Sequence, residues 1–193
     1  MGKGTLEIIK KYLSEISALL EELPVERIAQ VVEVLEGVRM KGRRVYIFGN
    51  GGSAATASHF ASDLCKGAIS KGKPRIRAFA LTDNVSLLSA WANDTAYENV
   101  FAEQLENFIE TGDVAIGISG SGNSLNVLNG VERAKAKGAI TIGFIGFDGG
   151  RLKDLVDIAI IAANYNMEQV EDIHLLLEHV ITTCLRITSP HGG

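Results

Sequence analysis

The sequence predicts an α/β fold, a five-stranded parallel sheet covered by helices on both faces and preceded by two further helices. Three observations carry this. First, five short runs are apolar almost throughout: "RVYIFG" (44–49), "RIRAFAL" (75–81), "DVAIGIS" (113–119), "AITIGFI" (139–145) and "VDIAII" (156–161). Strands buried on both faces read that way, whereas half-exposed strands alternate. Second, helical segments separate most of these runs, notably 53–66, 97–108 and 124–137, and such alternation makes parallel sheets. Third, the chain opens and closes on amphipathic helices.

The opening helix, residues 4 to 22, carries Leu6, Ile9, Tyr12, Leu13, Ile16, Leu19 and Leu20 at three- and four-residue spacing. A second follows Pro24, with Ile28, Val31, Val32, Val34 and Leu35 apolar, and ends near Gly42. The closing helix, 167 to 188, has Val170, Ile173, Leu176, Leu177, Val180, Ile181 and Leu185 on one side. These apolar faces are broader than one small domain covers, so they are expected to pack between subunits. With 193 residues and no repeat or linker, one domain is expected. Residues 1–42 form its helical oligomerisation segment, and 43–193 the α/β core with the final helix.

Composition narrows the function. An apolar fraction of 46% and a charged fraction of 22% suit a soluble globular protein. The net charge of −4 argues against direct nucleic-acid binding, which wants a basic surface. Two cysteines, Cys65 and Cys184, are read as buried thiols or, as the alternative, a pair; they imply no disulfide framework. The start, "MGKGTLEIIKKYL", lacks a signal-peptide core, and no run of eighteen apolar residues occurs. A cytoplasmic protein away from membranes is expected.

In such a sheet ligands sit beyond the carboxyl ends of the strands, near a reversal of strand order. Two glycine-rich junctions fall there: "FGNGGSAATASHF" after the first run and "ISGSGNS" after the third. Glycine lets a ligand approach the backbone, and free amides at a helix N-terminus attract an anion. Ser119, Ser121 and Ser124 add hydroxyl donors for phosphate oxygens. Helix capping by Ser124 or Asn123 is the alternative. Three serines interleaved with glycines after a buried strand favour phosphate. Neither junction ends in Gly-Lys-Ser/Thr, and "GSGNSL" lacks the third glycine of a dinucleotide fingerprint, so no nucleotide cofactor is expected.

"FGNGGSAATASHFASDL", "LTDNVSLLSAWANDTAYENVFAEQL" and "ISGSGNSLNVL" occur together in a way that resembles the sugar isomerase (SIS) domain family. The likeness covers essentially the whole chain, including "VEDIHLLLEHV", and runs closest to the branch acting on sedoheptulose 7-phosphate. It implies a flavodoxin-like three-layer sandwich. It also implies isomerisation of that ketose to D-glycero-D-manno-heptose 7-phosphate through an enediol. Ser119, Ser121, Ser124 and the amide of Gly120 match the family's phosphate loop. Asn50, Gly51, Gly52 and Ser53 match a first loop facing substrate, and Asp94 and Glu168 match polar residues near the sugar. His59, Asp63, Glu171 and His179 match an active-site His, Glu, Gln and His, with a carboxylate and His179 moving protons. Asp63, Glu171 and His179 form the implied catalytic set. Some members hold zinc among the four, so one zinc ion (Zn2+) per site is expected at His59, Asp63, Glu171 and His179. The implied assembly is a homotetramer with active sites between subunits.

The residues themselves support part of this. Moving a proton between two adjacent carbons needs one group to take it and another to manage the oxygen's proton, and a carboxylate with a histidine suffices. His59 and Asp63, four apart on a predicted helix, share a face and fit one divalent metal, although a surface contact is the alternative. About 12 Å of helix rise separates Glu171 from His179, so sharing one metal requires extended side chains or two subunits. His174 and Glu178 are read as a surface pair, and His191 in "SPHGG" is set aside. Three residues depart from the family pattern: Asp63 replaces Glu, Glu171 replaces Gln, and Gly120 replaces Thr. The alternative function is a non-catalytic relative: a sugar-phosphate-binding regulator, or a partner of the bacterial replication initiator. Retention of His179 favours catalysis.

Overall fold

The computed structural model describes residues 3–187, so His191 lies outside the described residues. Five strands form, β1 (Arg44–Gly49), β2 (Arg77–Ala80), β3 (Val114–Ser119), β4 (Ile140–Gly146) and β5 (Ile158–Ala162). They lie in the order β2-β1-β3-β4-β5, the flavodoxin-like arrangement, and every pairing is parallel. Ile47 faces both Ala80 and Ile116, and Ile116 faces Ile142. All of β3 is buried, which accounts for its unbroken apolar run. The run at 75–81 shortens to four residues because β2 is an edge strand.

Helices α1 (Lys3–Glu21), α2 (Val25–Met40), α3 (Gly52–Ser62) and α8 (Met167–Ile187) cover one face. They enclose Leu35, Ile47, Phe60, Ile116, Phe144 and Leu177. Helices α4 (Val85–Asp94), α5 (Val100–Phe108), α6 (Leu125–Ala136) and α7 (Leu152–Leu155) cover the other, around Phe48, Phe101, Leu105, Val127 and Leu152. Two helices fall outside the predicted segments. Helix α4 has no buried residue and starts on an Asn84 cap that accepts from the Leu87 amide at 3.0 Å, so apolar periodicity barely marks it. Helix α7 is a single turn. Residues 53–66 divide into α3 and a wider π turn (Asp63–Gly67), where the Ala68 amide donates to the Asp63 carbonyl at 2.8 Å.

Helix α1 reaches the core through Leu19 and leaves Leu6, Ile8, Ile9 and Leu13 exposed. Polar contacts tie it to α8: Tyr12 Oη donates to Asp172 at 2.6 Å and Gln169 Nε2 to Glu15 at 2.8 Å. Buried Arg39 of α2 donates to the Leu185 and Ala68 carbonyls, satisfying the ends of α8 and of the π turn. The cysteines are not buried thiols: Cys65 is exposed, Cys184 is half-buried, and no disulfide joins them.

His174 and Glu178 are not a surface pair either. Both are buried, at 1% and 0% exposure, because α8 packs on β4 and β5 and is flanked by α2 and α3. The His174 ring lies 6.3 Å from that of Phe144, and burial pushes its pKa down from 6.5 to about 4, with the Ile145 backbone opposing weakly. Between those values the unfolded chain binds the proton and the folded chain does not. The stability tied to His174 is therefore complete above its unfolded value and falls toward pH 4, by about 3 kcal/mol. Urea unfolding of wild type and His174→Leu across mildly acidic pH should show this as a difference in slope.

Candidate active site

Strand order reverses between β1 and β3, and both glycine-rich junctions lie there. Gly51 takes φ +55° and ψ −122°, a conformation L-residues avoid, which lets α3 start at Gly52. Ser53 is buried in the first turn, and Asn50 is half-buried just before it.

The second junction is a tight loop. Ser119 and Gly120 are buried, and Ser121 and Ser124 half-buried. Ser119 Oγ donates to Ser124 Oγ at 3.3 Å, and Asn123 holds Ser121 through its own amide at 3.2 Å and its Nδ2 at 3.0 Å. Asn123 Oδ1 accepts from the Arg151 amide at 3.1 Å, which anchors the loop to the one after β4. Ser124 stands at the N-cap of α6, yet neither it nor Asn123 caps a helix amide through its side chain. Capping therefore does not explain the serines. Gly120 has a steric reason of its own: any Cβ there would run into the Met167 thioether, since the first turn of α8 closes over the loop.

At the other end of α3, His59, Asp63, Glu178 and His179 converge, with potential ligand atoms all within 4.8 Å of one another. His59 Nδ1 lies 2.9 Å from Glu178 Oε1, and His179 Nε2 lies 3.6 Å from the same oxygen and 4.0 Å from Asp63 Oδ2. The two imidazoles meet edge to face at 5.1 Å. Glu178 is fully buried, and neither carboxylate oxygen has an aligned hydrogen bond. Burial pushes its carboxyl up to about 8, and the Asp63 charge acts in the same direction. Two imidazoles, a half-exposed carboxylate and a buried carboxylate that lacks an aligned hydrogen bond fit a divalent cation.

Sequence reasoning named three of these four and missed Glu178. Its signal was an acidic residue on the apolar side of the "LLLEHV" turn, beside His179. Glu171 lies elsewhere: its carboxylate rests against Gly52 at the start of α3, where free amides favour an anion. Asp94 ends α4, exposed, with Asn93 Nδ2 donating to it at 2.9 Å. Glu168 is exposed in the first turn of α8.

A serine loop at the sheet's reversal point and a histidine–carboxylate cluster at the far end of α3, both touched by α8, define a class. The SIS domain family matches residues 11–146, more than half of the chain, and the chain belongs to that family, among its phosphosugar isomerases. The relatives that place it there are phosphoheptose isomerases. That of Aquifex aeolicus is 37% identical over 179 residues, covering 91% of this chain and 93% of its own. A probable phosphoheptose isomerase of Thermoplasma acidophilum is 38% identical over 172 residues, covering 89% and 94%. The solved phosphoheptose isomerase of Neisseria gonorrhoeae superposes with a TM-score of 0.86 at 29% identity, over 95% of this chain and 97% of that one. No helix among the described residues is long and apolar enough to cross a membrane.

Proposed function

We propose that the chain interconverts sedoheptulose 7-phosphate and D-glycero-D-manno-heptose 7-phosphate. The observation that carries this reading is the convergence of His59, Asp63, Glu178 and His179 on the same helix that closes over the serine loop. The phosphate is held by the hydroxyls of Ser119, Ser121 and Ser124 and the amide of Gly120. Asn50, Gly51, Gly52, Ser53, Asp94, Glu168 and Glu171 line the sugar. Asp63 and His179 share the proton transfers. One takes the proton from C1 of the ketose while the carbonyl oxygen on C2 gains one, giving the enediol. Returning a proton to C2 as the C1 hydroxyl loses its own gives the aldose. His59, Asp63, Glu178 and His179 would hold zinc, which when bound supplies positive charge toward the reacting oxygens.

Residues 1–42 act as the oligomerisation segment of a homotetramer. Exposed Leu6, Ile8, Ile9 and Leu13 of α1, with Leu175 and Val180 of α8, support this, and His179 is half exposed on that side of α8.

Turnover of sedoheptulose 7-phosphate by the purified protein, with and without added zinc, tests the reading. Aldose formation supports it. Saturable binding without turnover would transfer the case to a sugar-phosphate-binding protein. Ser121→Ala should raise KM about tenfold, the scale of one hydrogen bond to a charged group, with a smaller change in kcat.

A further inference from the structure

We propose that Asn126 and Tyr97 are positioning residues that fix Asn50 as a one-way hydrogen-bond donor to an oxygen of the substrate, an inference resting on the sugar-phosphate reading above. Asn50 follows β1, and Asn126 lies in the first turn of α6 beyond the serine loop, so the two junctions meet through this pair. Their carboxamides bond reciprocally: Asn50 Nδ2 donates to Asn126 Oδ1 at 2.8 Å, and Asn126 Nδ2 donates to Asn50 Oδ1 at 2.8 Å. Tyr97 Oη donates to the same Asn50 oxygen at 2.9 Å.

A carboxamide has two N–H donors and an oxygen with two lone pairs. On Asn50 both lone pairs and one N–H are thus engaged within the protein, and a single N–H remains. Whatever faces Asn50 must accept a hydrogen bond, as a carbonyl or hydroxyl oxygen does. Asn126 is only 3% exposed, so its amide acts on a ligand through Asn50 rather than directly. A second bond braces the arrangement, with Asn129 Nδ2 donating to the Glu98 carbonyl at 3.0 Å. The turn after Asp94 is thereby clamped to α6.

Asn126→Asp keeps the shape but removes the donor to Asn50 Oδ1, and Tyr97→Phe removes the other. Calorimetric titration with sedoheptulose 7-phosphate should show binding weakened about tenfold in each, the scale of one misdirected hydrogen bond. Inorganic phosphate binding should match wild type, because the serine loop keeps its own bonds. Asn50→Ala should cost a similar factor, and adding Asn126→Asp to it should cost little more, since the second residue acts through the first. Additive losses, an equal loss of phosphate binding, or wild-type sugar-phosphate affinity in both single variants would overturn the proposal. A wild-type chain that binds phosphate but not the sugar phosphate would overturn the substrate reading and this proposal with it.

Discussion

His179→Ala is expected to remove the proposed isomerisation of sedoheptulose 7-phosphate, with kcat falling about a thousandfold, as loss of a general acid–base group does. The imidazole stands 4.0 Å from Asp63 and 3.6 Å from Glu178, while His59 points its Nδ1 at Glu178 from 2.9 Å. His179 is half exposed, so its loss leaves the core intact. Phosphate binding should survive, because the serine loop is held by Asn123 and by the close fit of Gly120 against Met167. A discontinuous assay of aldose formation, paired with phosphate titration, separates the two effects. Turnover within tenfold of wild type would remove His179 from the chemistry.

Glu178→Gln is expected to weaken zinc binding about a hundredfold, comparable to the largest effects of residues that only support ligands. Its effect on the metal-free protein runs the other way. The carboxyl titrates near 8 in the folded chain, against 4.5 when unfolded, so the folded state holds a proton the unfolded state has lost. That contribution to stability is complete below pH 4.5 and disappears as pH rises through about 8. Glutamine cannot ionise, so in chelator the variant should keep stability at alkaline pH where wild type loses it. His174 acts with the opposite sign between 4.5 and 6.5, so in wild type the two contributions oppose each other there. Urea unfolding of both variants resolves them. Unchanged zinc affinity in Glu178→Gln would exclude this carboxylate as a ligand.

The sheet was legible because a strand buried on both faces is apolar almost throughout, and the runs at 44–49, 113–119 and 139–145 match β1, β3 and β4 to within a residue. Helix α4 was not, because it buries nothing completely and its signal is a cap rather than a stripe. The serine loop was legible from composition at a strand end. The metal-like cluster was only half legible. Spacing along α3 shows that His59 and Asp63 share a face, but which face of α8 meets α3 is a tertiary fact. A charged residue on an apolar face reads as an irregularity until the opposing helix supplies its neighbours. Glu178 and Glu171 exchange places for that reason: one faces α3's last turn, the other its first.

Helix α8 touches the serine loop through Met167 and the histidine–carboxylate cluster through Glu178 and His179. About 18 Å of unbroken helix joins those points. The separation between the serine loop and the cluster is therefore held by a single stiff rod and cannot be adjusted by rearranging a loop. Insertion or deletion of one residue in the middle of α8 would rotate one end by about 100° relative to the other and turn the cluster away from the serine loop in one step.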